Sequence, residues 1–109
     1  MSNASRKARG AETQNAVARY FKDHGWPYAE SAGAGRSGVD VLGLAGISVE
    51  VKARRQLALP AWLRQARQSP GLPIVVHRPD GMGPGTVDDW PATMRLADLT
   101  ALLKAAGYQ

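Results

Sequence analysis

Apolar residues in the first quarter of the chain recur at intervals of three and four. Between residues 11 and 24 these positions are Ala16, Val17, Tyr20 and Phe21. The spacing predicts an amphipathic helix, and Gly25 followed by Trp26-Pro27 is typical of a helix end. Residues 1–9 are small, polar and basic, so we predict a flexible basic arm before this helix.

The next part of the chain has the pattern of strands. Residues 27–31 predict a short strand, and residues 32–38 predict a glycine-rich loop. Two apolar runs, residues 39–44 and 47–51, flank Ala45-Gly46 and predict a hairpin with a short turn.

Alternation along the second of these runs separates charged from apolar side chains. Successive residues of a strand face opposite sides of the sheet. We therefore expect Val49 and Val51 to face the core, and Glu50 and Lys52 to share the other face. The hairpin would also bring Asp40, ten residues before Glu50, close to that face.

The second half of the chain alternates helical and extended patterns. The predicted elements are a helix over residues 59–68 with Pro60 in its first turn, a central β-branched strand over 72–77, a loop over 78–89, a strand over 90–96 and a leucine-rich helix over 96–106. The order αβββαββα predicts the α/β class. At 109 residues, the chain should form one domain over residues 10–109, preceded by the basic arm.

Composition and charge indicate a polyanionic partner. Fourteen Lys and Arg against nine Asp and Glu give a formal charge of +5 and a pI near 10.1, and nucleic acid is the leading candidate. The absence of cysteine excludes disulfides, thiolate zinc sites and cysteine nucleophiles. No apolar run approaches the roughly 18 residues of a membrane span, so we expect a soluble cytoplasmic protein.

Asp40, Glu50 and Lys52 carry the candidate chemistry. Carboxylate oxygens are hard ligands that suit Mg²⁺ or Mn²⁺. A lysine beside them can hold an attacking water and offset the charge of a phosphoryl transition state. A Glu-x-Lys pair can also be a simple charge pair on a solvated sheet face. The three charges lie within an otherwise apolar predicted hairpin. Because unpaired buried charges are costly, this position favours a metal site over a solvated charge pair.

This arrangement, Asp40 followed by Glu50-Val51-Lys52 with a helix before and after, resembles the PD-(D/E)XK nuclease superfamily. Within it, residues 7–78 look most like the archaeal-type Holliday junction resolvases and their relatives in phages and actinobacteria, and the loop containing Gly33, Gly35 and Arg36 is similar to the resolvase loop. The resemblance implies a restriction-endonuclease-like fold, a mixed central sheet flanked by helices. It also implies a cytoplasmic location in a bacterial or phage-infected cell.

The resemblance further implies roles for individual residues. Asp40 and Glu50 match the metal-binding carboxylates, the Val51 carbonyl would add a backbone ligand, and Lys52 matches the catalytic lysine. Gln65 lies where many members carry a polar residue behind the catalytic site, although it could equally be a solvated helix position.

The resemblance also implies roles for residues of the first helix and for residues that would contact DNA. Members carry a metal-binding glutamate on the first helix, where this chain has Gln14, and Glu12 lies roughly 200° away around a helix. Glu12 and Gln14 therefore cannot both face the site; at most one of them does. Arg36 and Ser37 match loop positions that contact the DNA backbone, although they could belong to a plain flexible loop. A phosphate-contacting stripe, or alternatively a solvated face, is predicted at Arg54, Arg55, Arg64 and Arg67.

These observations lead to one expected function and its alternatives. The expectation is a Mg²⁺-dependent endodeoxyribonuclease, with Mn²⁺ able to substitute, that hydrolyses phosphodiester bonds of branched DNA in recombination and acts as a homodimer. The alternatives are a restriction-like or repair nuclease acting on duplex DNA, and a non-catalytic DNA-binding relative. A protein-interaction adaptor is the least favoured.

Overall fold

A computed structural model describes the backbone of residues 3–33 and 38–109, and side chains from residue 5 onward. Arg36 and Ser37, predicted to contact DNA, lie outside the described residues. The elements, in chain order, are α1 (Asn3–Asp23), β1 (Glu30–Ser31), β2 (Val41–Leu42), β3 (Ile47–Lys52), α2 (Leu59–Ala66), β4 (Leu72–His77), a 3-10 helix (Pro84–Asp89), β5 (Ala92–Thr93) and α3 (Leu96–Ala105). The α/β class predicted from the sequence is confirmed.

Strands β3, β4 and β5 form a mixed sheet. β3 and β4 run parallel, with Ile47 opposite Leu72 and Lys52 opposite His77. A parallel pair needs a crossover between its strands, and α2 lies in that connection. β5 pairs antiparallel with β4, so β4 is the central strand, as its β-branched sequence predicted.

The predicted turn at Ala45-Gly46 is present, and the Ile47 N–H donates to the Leu44 carbonyl across it at 3.3 Å. The regular ladder expected of a hairpin is not formed: in the described part of the chain, β2 pairs antiparallel with β1 in a separate two-stranded sheet. The backbone bends at Gly43, whose φ is +80° and where an added Cβ would lie 2.0 Å from the Tyr28 carbonyl oxygen. This close approach places Gly43 against the residues before β1.

Asp40 nevertheless connects the two sheets. Its backbone N–H donates to the Val49 carbonyl at 3.0 Å, and its own carbonyl accepts from the Ala32 N–H at 2.9 Å. The aspartate therefore reaches β3 through a single backbone hydrogen bond instead of a hairpin register.

Both faces of β3 are buried. Val49 and Val51 pack with Val17, Val41 and Val76 in the main core, as strand alternation predicted. On the other face, a smaller cluster of Trp62, Ala66 and Val75 attaches α2 to the sheet. Glu50 lies on this covered face and is 3% exposed. Helix α2 therefore covers much of the face of β3 that carries Glu50.

Several other elements differ from their predictions. α1 begins at Asn3, so residues 3–9, predicted to be a flexible arm, continue the helix. A 3-10 helix occupies part of the predicted loop. His77 is buried beside the Trp62 ring, and its Nε2 donates to the Arg54 carbonyl at 2.8 Å. This bond anchors the segment that follows β3.

The C-terminal helix packs little against the described domain. Within α3 the large apolar side chains remain exposed, at Leu96, Leu99, Leu102 and Leu103. Its predicted apolar face is present, but the described residues do not cover it. Among the described helices, none combines the length and apolar character needed to cross a membrane.

Candidate functional site

The Asp40 carboxylate is fixed by hydrogen bonds from two elements. Oδ2 accepts from the Val51 backbone N–H at 2.7 Å, and Oδ1 accepts from Gln14 Nε2 at 3.1 Å. The Gln14 carbonyl oxygen in turn accepts from the Ser31 hydroxyl at 3.0 Å. These bonds connect α1, β1 and β3 around one carboxylate and orient it without any ligand.

Glu50 lies in the middle of β3, and its side chain is close to that of Asp40. Burial, and secondly the negative charge of Asp40, raise the pKa of Glu50 from its ordinary 4.5 to about 7, although Lys52 acts in the opposite direction. Repulsion from Asp40 thus disfavours the ionised form of Glu50. A cation would relieve that repulsion.

Lys52 is held between Glu50 and α2. Its Nζ lies 3.3 Å from Glu50 Oε1 and donates to Gln65 Oε1 at 2.9 Å. The lysine side chain is only 17% exposed, so its ammonium points along the protein surface of the site instead of into bulk solvent. The structure brings together Asp40, Glu50, Lys52 and Gln65. Gln65 contacts the lysine and therefore has the geometry of a positioning residue.

Gln14, and not Glu12, faces the site. Glu12 Oε1 accepts from Arg78 Nη1 at 2.8 Å, in an ion pair directed away from Asp40. Arg78 is 6% exposed and also donates to the Thr13 hydroxyl at 3.1 Å. Since about 100° of helical rotation separates consecutive residues, the face that carries Gln14 excludes Glu12.

A basic cleft of about 860 Å³ opens over these residues. Its cationic lining comes from α1 and from the segment after β3, at Arg6, Lys7, Arg9, Arg54 and Arg55. Of the arginines predicted to contact phosphate, Arg54 and Arg55 line the cleft. Arg64 and Arg67 are exposed on or just after α2 and are not among its lining residues.

Sequence reasoning missed part of this cleft. Arg6, Lys7 and Arg9 were assigned to a flexible arm, yet Arg6, Gly10 and Gln14 follow one another at intervals of four on one helix face. Extending the helical pattern toward the N-terminus would have found them. No sequence pattern singled out Ser31 or Asp80, which join the site only through tertiary contacts.

The donor set suits a magnesium ion better than zinc. Among the described residues there is no cluster of three or more His, Cys, Asp or Glu side chains of the kind that forms a closed protein cage. Mg²⁺ needs only one or two carboxylates, because it retains several waters. Asp40 and Glu50 provide these hard oxygens, and Val51 lines the same cleft while its N–H serves Asp40.

The chain was compared with protein-family models, with curated proteins and with solved structures, and none of them matches it.

Proposed function

We propose that this protein is a Mg²⁺-dependent endodeoxyribonuclease with a restriction-endonuclease-like fold of the PD-(D/E)XK type. The observation that carries the proposal is the buried Glu50 carboxylate, held next to Asp40 and Lys52 in a cleft lined by cationic side chains. A buried, repelled carboxylate is a cost to the fold. A bound cation would compensate the buried negative charge and could at the same time bind a phosphate group of the substrate.

Each residue of the site has a distinct role in this proposal. Asp40 and Glu50 would hold Mg²⁺, together with the Val51 carbonyl, and Mn²⁺ would substitute. The bound ion would stabilise negative charge on the phosphate and favour a nucleophilic water. Lys52 would position that water and offset charge at the phosphate through the ammonium protons that Glu50 and Gln65 leave available.

Gln14 would serve the site by orienting Asp40. Its amide nitrogen donates to Asp40 Oδ1 while its oxygen accepts from the Ser31 hydroxyl, so the amide holds the aspartate in place without adding negative charge. The site therefore relies on Asp40 and Glu50 as its anionic ligands.

The cleft supports DNA as the substrate. Arginine and lysine side chains on both sides of the carboxylates would contact backbone phosphates without reading bases. Such recognition suits an enzyme that selects branched DNA by shape, as expected of a Holliday junction resolvase. A nuclease acting on ordinary or damaged duplex DNA would use the same contacts, so duplex DNA is the alternative substrate.

Paired cuts at a junction would require a homodimer, and α3 offers a surface for it. Its four exposed leucines, Leu96, Leu99, Leu102 and Leu103, form an apolar surface, and exposed apolar patches often mark protein–protein contacts. We therefore include in the proposal a homodimer formed through α3.

A non-catalytic DNA-binding protein is the second candidate. The observation that favours it is the amide at Gln14, where the resemblance implies a carboxylate. Asp40 and the buried Glu50 argue against it, because carboxylates that face phosphate weaken simple binding.

Cleavage assays separate these functions. Labelled four-way junctions and linear duplexes of matched sequence are incubated with Mg²⁺, Mn²⁺ or EDTA, using wild type, Lys52→Ala and the surface control Lys22→Ala, which lies on an exposed position of α1 outside the cleft lining. We expect metal-dependent paired nicks in the junction with wild type and Lys22→Ala, and roughly a hundredfold loss or more with Lys52→Ala. Equal cleavage of both substrates would indicate a general nuclease. Binding without cleavage under every metal condition would contradict the enzymatic proposal.

A further inference from the structure

Asp80 places a negative charge inside the basic cleft. It follows β4 in the turn after Pro79, and its Oδ2 accepts from Arg55 Nε at 2.9 Å. Its other carboxylate oxygen, Oδ1, lies 3.9 Å from Arg9 Nη2. Arg9 belongs to α1 and Arg55 to the segment after β3, so one carboxylate bridges cations from opposite sides of the cleft.

The fold does not depend on this bridge. The side chains of Arg55 and Asp80 are 88% and 55% exposed, and ion pairs as exposed as this contribute little to stability. The contrast within the same protein is the pair of Arg78 with Glu12, in which the arginine side chain is 7% exposed and packs over the Trp90 ring. The Arg9–Asp80–Arg55 bridge can therefore open without exposing any core residue.

A carboxylate between arginines has the chemistry of a bound phosphate. Guanidinium groups donate in a planar fork that suits either anion, and a backbone phosphodiester also presents two charged oxygens. The hydrogen bond from Arg55 holds the pKa of Asp80 below its ordinary value, so the Asp80 carboxylate is ionised at neutral pH. The bridge lines the same cleft as Asp40 and Glu50.

We propose that Arg9 and Arg55 form a phosphate subsite of the cleft, and that Asp80 occupies it as an internal anion which a nucleic-acid backbone phosphate displaces. The inference rests on the proposed function, because it assumes that nucleic acid enters the cleft. Asp80 then acts as a built-in competitor that lowers affinity and keeps weakly bound DNA exchangeable.

Equilibrium binding of a fluorescent four-way junction tests this inference. The full chain is titrated in EDTA at several NaCl concentrations, so that cleavage plays no part. The variants are Asp80→Asn and the matched control Asp89→Asn, which removes the same charge from an exposed position in the 3-10 helix outside the cleft lining. We expect Asp80→Asn to tighten Kd about fivefold and to steepen the slope of log K against log salt by roughly one. Asp89→Asn should change Kd less than twofold.

Arg55→Gln supplies the second test. If Asp80 masks Arg55, this substitution should weaken binding more in the Asp80→Asn background than in wild type, which a double-mutant cycle measures directly. Equal effects of Asp80→Asn and Asp89→Asn, or equal effects of Arg55→Gln in both backgrounds, would overturn the subsite while leaving DNA binding intact. Absence of DNA binding by wild type at low salt would instead overturn the proposed function, and the subsite with it.

Discussion

Replacing Glu50 by glutamine should stabilise the metal-free protein in a pH-dependent way. Glu50 is 3% exposed, and burial together with Asp40 raises its pKa from 4.5 to about 7. In the unfolded chain the same carboxyl ionises near its ordinary value. Between these pH values the folded protein binds the proton more tightly than the unfolded chain does, so stability falls as pH rises.

The size of the effect follows from the pKa shift. At 1.36 kcal/mol per unit, the ionised Glu50 lowers the free energy of unfolding by about 3 kcal/mol above pH 7. Below pH 4.5 the carboxyl is neutral in both states, and the penalty is absent. Glutamine has nearly the same shape and never ionises. Glu50→Gln should therefore exceed wild type in stability by about 3 kcal/mol at pH 8 and by roughly zero at pH 4.

Urea unfolding in EDTA at pH 4, 6 and 8 measures this difference, with fluorescence of the buried Trp62 and Trp90 as the probe. Glu30→Gln, which changes an exposed carboxylate of β1, is the matched control and should show little pH-dependent gain. Mg²⁺ at pH 8 should then stabilise wild type more than Glu50→Gln, because the ion compensates the buried charge. A stability difference that is the same at pH 4 and pH 8, or a less stable Glu50→Gln at pH 8, would refute the reasoning.

Three further substitutions test the site, the fold and the assembly. Gln14→Ala removes the bond that orients Asp40, and we expect roughly tenfold to hundredfold slower junction cleavage with Kd for DNA within about twofold of wild type; an unchanged rate would exclude the orienting role. In urea unfolding, Gly43→Ala should lower the free energy of unfolding by roughly 3 kcal/mol, because its Cβ would lie 2.0 Å from a backbone oxygen. Gly46 has a similar φ but open space around it, so Gly46→Ala should lower that free energy by only about 1 kcal/mol. Comparable losses at both glycines would show that the close approach is unimportant. Leu102→Glu should shift a dimer to monomer in sedimentation velocity without lowering the unfolding midpoint, since the side chain is 44% exposed; a wild type that is monomeric at high concentration would contradict the α3 interface.

The sequence by itself determined the features that depend on local periodicity. The strand at residues 72–77, the helix with Pro60 in its first turn and the α/β class could all be predicted from spacing. The separation of Val49 and Val51 from Glu50 was also predictable, because side-chain alternation is a property of the extended backbone itself. For the same reason, Glu50 and Lys52 could be placed together before any tertiary contact was known.

Only the tertiary structure decided which distant groups meet. β2 pairs with β1 instead of forming a ladder with β3, and Gly43 passes tightly against Tyr28 beside that pairing. The short turn at Ala45-Gly46 indicated neither contact. The burial of Glu50 depends on α2 covering one face of β3, which the alternation of β3 could not reveal.

The side chains that complete the site were decided in the same way. The choice of Gln14 over Glu12 depends on how α1 is rotated against the sheet, and that rotation is set by the packing of Val17 and Ala18 in the core. The bridge from Arg9 through Asp80 to Arg55 joins residues far apart in the chain. Periodicity fixes which residues share a face of one element, but contacts between elements depend on the packing of the whole chain, which no local pattern encodes.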